Sequence, residues 1–238
     1  SMKDLPALLA PGLVVGAVPE REDPRDALCS PRWKTLAALP KGAKVGTSSL
    51  RRSAQLKALR PDLEMHMVRG NVETRLRKAK EGLDAVVLAY AGLRRLGLAD
   101  HATYVFSAEE MLPAVAQGAL ALEARGADAA TLARLARLEH AETRLRTEAE
   151  RGFLARIEGG CQVPIAGHAT VEGGKVSLRA LVASLDGKHV IRGERTGPAK
   201  DARAMGVALA EELLSKGAGE ILRECEGKAP GLAAPKRT

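Results

Sequence analysis

The stretch AKVGTSSLRR, residues 43–52, predicts a strand, a turn and the first residues of a helix. Residues 43–46 form a short, mostly apolar stretch, as in a buried strand. Residues 47–49 carry three hydroxyl groups, which suit a turn and a helix N-cap. Leu50–Leu59 then places apolar residues near helical spacing. The stretch is therefore a predicted strand-to-helix junction.

The same order of elements recurs directly downstream. Residues 63–68 predict a second strand, Asn71 is placed to cap a helix over residues 72–80, and residues 85–89 predict a third strand. Residues 91–98 follow as a helix or loop. Because strands and helices alternate here, we expect an α/β domain with a largely parallel sheet.

The chain changes character in its second half. Residues 129–157 predict one long helix with an apolar stripe of leucines. Alternating apolar and polar residues, with glycine turns between them, then predict three antiparallel strands over residues 165–171, 175–184 and 189–194. A last helix is predicted over residues 202–215. We expect a separate α+β domain from about Ala141 to residue 227.

Two segments predict crossings between domains. Residues 13–18 predict a strand that leads into the charged, turn-prone residues 21–26. Residues 112–122, which include Gln117 and Gly118, predict the return. The pair indicates a hinge.

Composition limits the classes of function. The 238 residues are 45% hydrophobic and 28% charged, which suits a soluble globular protein. The formal net charge of +8 favours nucleic acid, anionic lipid or an anionic small molecule. Only 2% of residues are aromatic, so the stacking platforms of most single-strand binders are missing. With no apolar run near the roughly 20 residues of a spanning helix and no signal-peptide pattern, we expect a cytoplasmic protein without a membrane partner.

Three cysteines stand at wide spacing, an odd number that predicts neither a disulfide framework nor a metal cage. No metal is therefore expected. Cys161 lies in the glycine-flanked turn EGGCQVP, residues 158–164, which indicates an accessible thiol. The alternative, burial as a small apolar residue, is the commoner fate of a free cysteine.

Arginines follow three successive predicted strands, and these are Arg51 with Arg52, Arg69 with Arg75, and Arg95. Helix N-termini attract anions, and guanidinium groups pair bidentately with carboxylate or phosphate. No GxxxxGK[ST] or GxGxxG pattern indicates a nucleotide, so the sequence favours a pocket for several carboxylates. For any one of these positions, a capped helix with surface arginines is the alternative.

Six stretches together resemble the signature motifs of the porphobilinogen deaminase family. They occur in the family's order and at compatible spacing, from Ser1 to about Leu222. Several long motifs in order are far more specific than one short pattern. The stretches are SMKDLP at 1–6, REDPRDAL at 21–28, GTSSLRR at 46–52, RGNVETRL at 69–76, LPAVAQGAL at 112–120 and EGGCQVPI at 158–165.

The resemblance implies an enzyme of tetrapyrrole (haem) biosynthesis. Such a transferase joins four porphobilinogen units head to tail into hydroxymethylbilane and releases ammonia at each addition. It implies a dipyrromethane cofactor attached through a thioether to Cys161, and Asp4 as the catalytic acid/base. It further implies cofactor contacts from Ser1, Lys3, Thr47, Ser48, Ser49, Arg51 and Arg52, and substrate contacts from Arg69, Arg75 and Arg95.

The resemblance also implies a fold of two α/β domains like those of periplasmic binding proteins, plus a C-terminal α+β domain. Residues 1–22 and 119–136 are then a remnant of domain 1, residues 23–112 are the anion-binding domain 2, and residues 141–227 are domain 3 with the cofactor cysteine. The family's TRxS strand and GKGLF loop are absent, so we expect exposed apolar surface on the remnant, or a separate fragment that covers it. We expect low activity for residues 1–238, and normal turnover would contradict this.

The sequence also departs from the family in two smaller ways. Ala116 stands where the family usually has glycine, and His101 where many members carry arginine. A non-catalytic module that binds a carboxylated solute between two lobes would need the arginines but neither Cys161 nor Asp4. A nucleic-acid binder is supported by charge alone, and no nucleic-acid partner is expected.

Overall fold

The computed structural model describes residues 1–157 and 163–228. A 3₁₀ turn, Met2–Asp4, comes first. The strands are β1 Leu13–Ala17, β2 Asp26–Cys29, β3 Lys44–Gly46, β4 Glu64–His66, β5 Ala85–Ala89, β6 Tyr104–Val105, β7 Leu122–Arg125, β8 Ile165–Glu172, β9 Lys175–Ala183 and β10 Val190–Pro198. The helices are α1 Leu50–Leu59, α2 Val72–Lys80, α3 Tyr90–Arg95, α4 Ala129–Leu135, α5 Ala141–Ile157, α6 Ala202–Leu213 and α7 Gly219–Lys228. Within these described ranges, no helix combines the length and the apolar character needed to cross a membrane.

The largest sheet has five strands in the order β4-β3-β5-β2-β6. β3 pairs in parallel with β4 and β5, as the alternation of strands and helices predicts. β2 is antiparallel to both β5 and β6, so the sheet is mixed, and the expectation of a largely parallel sheet holds for only one half of it. The sequence pattern misses β2 because this strand begins with Asp26, a charged residue at the end of a turn-prone stretch.

Helices α1 and α2 begin and end at the predicted residues, as does β5. Both helices have the expected polar N-caps. The Ser49 hydroxyl accepts a hydrogen bond from Arg52 N at 3.4 Å, and the Asn71 side chain accepts one from Thr74 N at 2.8 Å. Such caps satisfy main-chain donors that the helix leaves unpaired, so local chemistry alone fixes these two starts.

The helix predicted over residues 129–157 is broken in the structure. α4 ends in a 3₁₀ turn, and Glu139 is extended before α5 begins. The Glu139 carboxylate accepts a hydrogen bond from Val18 N at 2.8 Å, and His140 N donates to Val18 O at 2.8 Å. These bonds to the segment after β1 replace helical ones, and helical spacing in the sequence cannot reveal such a tertiary contact.

β1 and β7 form a separate two-stranded antiparallel sheet. Leu132 and Leu135 of α4 pack against it at Gly16. Within residues 1–22 and 119–136, where apolar exposure is expected, three large apolar side chains are exposed, those of Leu8, Val14 and Leu120. The most exposed of them, Leu8, has 74% of its surface accessible.

β8, β9 and β10 form the predicted antiparallel sheet of the C-terminal part. Phe153 of α5 and Leu209 of α6 share one buried core with this sheet. The two helices approach each other at glycines: a Cβ atom on Gly206 would lie 2.0 Å from Ala149 O, and one on Gly152 would lie 2.3 Å from a main-chain oxygen of α6. Only glycine permits this spacing at either position.

The C-terminal sheet also supports α1. The turn between β9 and β10 carries Gly187, and a Cβ atom there would lie 2.4 Å from Ala54 O of α1. A small buried cluster joins the same surfaces and contains Ala54, Leu112, Ala166, Leu181 and Ala183. Helix α1 is thus fixed from outside its own domain, and its first turn holds two of the predicted site arginines.

Replacing Gly206 with alanine should destabilise the protein. The new methyl group would meet main-chain atoms of α5, which cannot rotate away, and overpacking of this kind typically costs about 1–3 kcal/mol. Urea unfolding followed by circular dichroism measures the change. Gly92→Ala is the matched control, because Gly92 lies in α3 and a Cβ atom there would lie 3.8 Å from its nearest neighbour, a Val72 methyl. That variant should be neutral or slightly more stable. A G206A protein as stable as the parent would contradict the packing.

Candidate active site

A fully buried carboxylate, Asp26 at the start of β2, lies at the centre of the site. Its Oδ2 accepts from Arg51 Nη1 at 2.7 Å, and its Oδ1 lies 2.8 Å from Arg52 Nη2. Gln117 Nε2 donates to Oδ1 at 2.9 Å. Burial alone would raise the pKa of Asp26, but the two guanidinium groups and the Gln117 hydrogen bond hold it well below its usual value. Asp26 is therefore ionised at neutral pH.

Arg51 and Arg52 are themselves buried, each with 5% of its surface exposed. Arg51 also donates to Leu112 O at 2.8 Å and Arg52 to Val87 O at 3.1 Å, so both side chains are held from several sides. Burial lowers the pKa of Arg52, and Asp26 opposes that effect. In the part of the chain that the structure describes, Arg51 Nε has no hydrogen-bond partner. This donor is itself buried.

Lys3 adds a third cation to this group. The buried Met2 side chain and a main-chain hydrogen bond from Met2 anchor the 3₁₀ turn that carries it. Lys3 Nζ lies 3.5 Å from Gln117 Oε1. Burial and the charge of Arg52 lower the pKa of Lys3 to about 8, and the Asp4 carboxylate opposes this only in part. We call Lys3, Arg51 and Arg52 the cation cluster.

Asp4 ends the same turn and is exposed. Its main-chain N–H donates to the carbonyl of Ser1 at 3.1 Å, which fixes the turn. Ser1 is also exposed. The structure thus presents an accessible acid directly beside the half-buried amine of Lys3.

The hydroxyl residues that precede α1 lie at the start of the helix, as the sequence predicts. Thr47 is buried, and its hydroxyl accepts from Ser49 N at 3.1 Å. Ser49 is the N-cap, and Ser48 is half-buried between them. The hydroxyls of Thr47 and Ser49 organise the turn through these two main-chain bonds.

The other predicted arginines lie in two places. Arg75 contributes positive charge that lowers the pKa of Arg52, so it is near the cation cluster, and Arg69 is exposed at the junction before the same helix. Arg95 instead donates to Gly118 O at 2.7 Å. It lines a cleft of about 840 Å³ beside residues 20–25 of the outgoing crossing.

The structure describes two of the three cysteines. Cys161 lies outside the described residues. Cys29 and Cys225 are buried. Burial raises the pKa of Cys29 to about 12, so this thiol carries almost no thiolate at neutral pH.

A second buried ion pair joins the crossing segments to the C-terminal domain. Arg21 Nη1 donates to Glu150 of α5 at 2.6 Å, and both side chains are almost completely buried. Glu150 also accepts from Ala116 N at 2.6 Å and from Ala169 N at 2.8 Å. The outgoing crossing, the return crossing and β8 therefore meet at one carboxylate.

Sequence reasoning misses Asp26 and Gln117, the two residues that organise the cation cluster. Both lie within quoted motifs, REDPRDAL and LPAVAQGAL, yet neither spacing nor composition singles them out. For Asp26 a signal exists: arginines cannot be buried as a pair without an acid, and REDPRDAL supplies three acidic residues. Gln117 offers no comparable signal, because a neutral amide looks like any polar residue of a loop.

These features define a class of protein: a multidomain α/β protein with an added α+β domain, whose site gathers cations for an acidic ligand and sets an exposed carboxylate beside them. Residues 1–133 match the family described as "Porphobilinogen deaminase, dipyromethane cofactor binding domain", and residues 144–215 match "Porphobilinogen deaminase, C-terminal domain". The chain belongs to the porphobilinogen deaminase family. It is an enzyme of this kind and contains the family's dipyrromethane cofactor binding domain.

Individual relatives agree with this assignment. The chain is 54% identical to the porphobilinogen deaminase of Nitratidesulfovibrio vulgaris strain Hildenborough, over 94% of this chain and 72% of that protein. It is 50% identical to the porphobilinogen deaminase of Brevibacillus brevis, over 94% of this chain and 72% of that protein. The chain therefore spans about three quarters of the length of these relatives.

Two solved structures resemble part of the chain. A putative methionine-binding lipoprotein from Bacillus subtilis has a TM-score of 0.39 and 20% identity, over 54% of this chain and 62% of its own. A YaeC-family lipoprotein from Enterococcus faecalis has a TM-score of 0.37 and 18% identity, over 53% of this chain and 62% of its own.

Replacing Asp26 with asparagine should strongly destabilise the protein. Two buried guanidinium groups would lose their counter-charge, and breaking a buried ion pair by removing one partner costs about 3–5 kcal/mol. Asp62→Asn is the matched control, since Asp62 pairs with Arg60 at 2.7 Å on the surface, where the loss should be far smaller. Denaturant unfolding compares the two variants. Equal losses would contradict the central place of Asp26.

The same carboxylate should make stability sensitive to acid. Its pKa in the folded protein lies below the unfolded value of about 3.9, so the native state binds fewer protons than the unfolded chain in acid. Its contribution is complete above the unfolded pKa and is lost as pH falls through the folded pKa. The difference in unfolding free energy between the parent and D26N should therefore narrow below about pH 4. A difference that is constant down to about pH 3 would contradict this.

Proposed function

We propose that the cation cluster holds the acidic side chains of the cofactor and of the growing chain, and that Asp4 handles the protons of the reaction. The reaction is the family's deaminating polymerisation of four porphobilinogen units into hydroxymethylbilane. The observation that carries the proposal is the excess of buried positive charge next to an exposed acid: three cations share one buried carboxylate, Asp26.

The charges of this site suit an oligopyrrole. Each pyrrole brings two carboxylates, so a lengthening chain accumulates negative charge that guanidinium and ammonium groups must offset. A carboxylate beside Lys3 would favour its ammonium form and oppose the effects of burial and Arg52. When bound, the dipyrromethane supplies the pyrrole carbon from which the chain is extended.

We assign proton transfer and charge stabilisation to Asp4. In each addition the C–N bond of the aminomethyl group breaks and ammonia leaves, a C–C bond forms, and the attacked pyrrole carbon loses a proton. Positive charge develops on pyrrole nitrogen along this path, and a carboxylate stabilises such charge. The Asp4 carboxylate can also accept the proton lost from carbon. Its exposure leaves room for a substrate against it.

We assign covalent attachment of the cofactor to Cys161. The other two cysteines are buried, and the raised pKa of Cys29 disfavours the nucleophilic thiolate. Neither is therefore suited to carry a ligand as large as two pyrroles.

Substrate carboxylates are assigned to Arg69, Arg75 and Arg95. Arg69 and Arg75 flank one strand-to-helix junction, and the charge of Arg75 reaches Arg52. Arg95 donates to Gly118 O, so its guanidinium would have to leave this carbonyl to bind substrate.

Replacing Cys161 with serine should abolish the covalent adduct. A hydroxyl group does not form the thioether, so the intact mass should equal that of the polypeptide, whereas the parent protein should carry the added mass of one dipyrromethane. Cys29→Ser is the matched control and should keep the adduct. An adduct on C161S, its loss from C29S, or a parent protein without any adduct would each overturn the attachment.

Replacing Asp4 with asparagine should leave the adduct in place but stop chain growth. The change removes the proton acceptor and its charge at constant size, and loss of such a group typically slows a reaction about 10²- to 10⁴-fold. The measurement is the rate at which the intact protein gains successive substrate units, followed by mass spectrometry. Asp4→Glu keeps the charge and should recover part of the rate. Unchanged addition by D4N would rule out this role.

A further inference from the structure

Gln117 lies where the crossing segments meet the cation cluster, and only 1% of its surface is exposed. Its Nε2 donates to Pro24 O at 2.6 Å and to Asp26 Oδ1 at 2.9 Å. Its Oε1 lies 3.5 Å from Lys3 Nζ and 3.4 Å from Arg52 Nη2. One side chain thus contacts the outgoing crossing, the buried carboxylate and two of the cations.

The surroundings of Gln117 determine which way its amide points. Pro24 O and the Asp26 carboxylate are acceptors, so the NH₂ group must face them, while Lys3 and Arg52 are donors and require the oxygen. Rotating the amide by half a turn would place its oxygen against the two acceptors and its NH₂ group against the two cations. A carboxylate at this position would face Asp26, and an apolar side chain would leave two acceptors without this donor. Glutamine therefore satisfies both sides.

The main chain ties this amide to the hinge. Arg21 Nε donates to Gln117 O at 2.8 Å, and Glu22 N donates to Gly118 O at 3.2 Å. Arg21 in turn pairs with Glu150 of the C-terminal domain. The residue that carries the amide is therefore bonded to the outgoing crossing and, through Arg21, connected to the C-terminal domain.

We propose that Gln117 is a positioning residue that transmits the geometry of the two crossing segments to Lys3 and Arg52. The inference rests on the proposed function only in treating Lys3 as a cofactor ligand. The charged groups that act on the Lys3 ammonium are Arg52, Asp4, Arg51 and Asp26. The Gln117 oxygen is the neutral acceptor among them, so its removal should make the ammonium lose its proton more readily.

The test is the pH dependence of Lys3 acylation in the cofactor-loaded, 238-residue protein. Trace labelling with acetic anhydride and peptide mass spectrometry report the neutral amine of each lysine separately. Gln117→Met keeps the length of the side chain and removes the acceptor. It should increase Lys3 labelling near neutral pH by about threefold to tenfold, the effect of losing one hydrogen bond. Gln117→Asn, which retracts the amide, should shift labelling the same way and serves if the methionine variant does not fold.

Gln55→Met is the matched control. Gln55 is an equally buried glutamine whose amide exchanges two hydrogen bonds with Leu112 of the return crossing, at 2.8 Å and 3.0 Å. It should lower stability while leaving Lys3 labelling within about twofold of the parent, since its amide does not touch Lys3. Unchanged Lys3 labelling in both Gln117 variants, or an equal shift in Q55M, would overturn the proposal. Because labelling needs no turnover, this result is separate from that of the Asp4 variants.

Discussion

Asp26 and its two arginines depend on one another, because each charge has lost most of its hydration. Asp26 can be ionised only while Arg51 and Arg52 are in place, and the arginines can be buried only beside an ionised acid. The acid belongs to β2 and the arginines to α1. The antiparallel position of β2 in the sheet and the orientation of α1 are therefore fixed by the same interaction that builds the site.

The positive charge at this site exceeds the negative charge. One carboxylate cannot neutralise Arg51, Arg52 and Lys3 together, and the charge of Arg52 adds to the effect of burial in lowering the pKa of Lys3. A core built only for stability would add a second acid or remove a cation. Under the proposed function, the carboxylates of the ligand supply the missing negative charge.

The sequence predicts those helices, caps and strands that local chemistry determines. Helices α1 and α2, their caps and β5 follow from spacing and N-cap residues, and the motifs indicate the family. Tertiary contacts decide the rest. Asp26 looks like a turn residue until its arginines are known, and the break at Glu139 depends on hydrogen bonds to Val18. The sequence predicts a pocket for carboxylates at the arginines of α1, and the structure shows these arginines buried against Asp26. Cys161 lies outside the described residues, so its role stays a prediction.

The C-terminal domain supports the arrangement of the site. The turn that carries Gly187 packs against α1, and the Glu150 carboxylate bonds to both crossing segments. Ala116 shows the strength of the second contact: its φ of 58° lies in the left-handed region, which costs a non-glycine residue about 1–2 kcal/mol. The 2.6 Å bond from Ala116 N to Glu150 helps to hold alanine in this conformation. Gln117 is the next residue, so the strained backbone of Ala116 and the positioning amide belong to the same turn. By holding Ala116, the Glu150 carboxylate also helps to place Gln117.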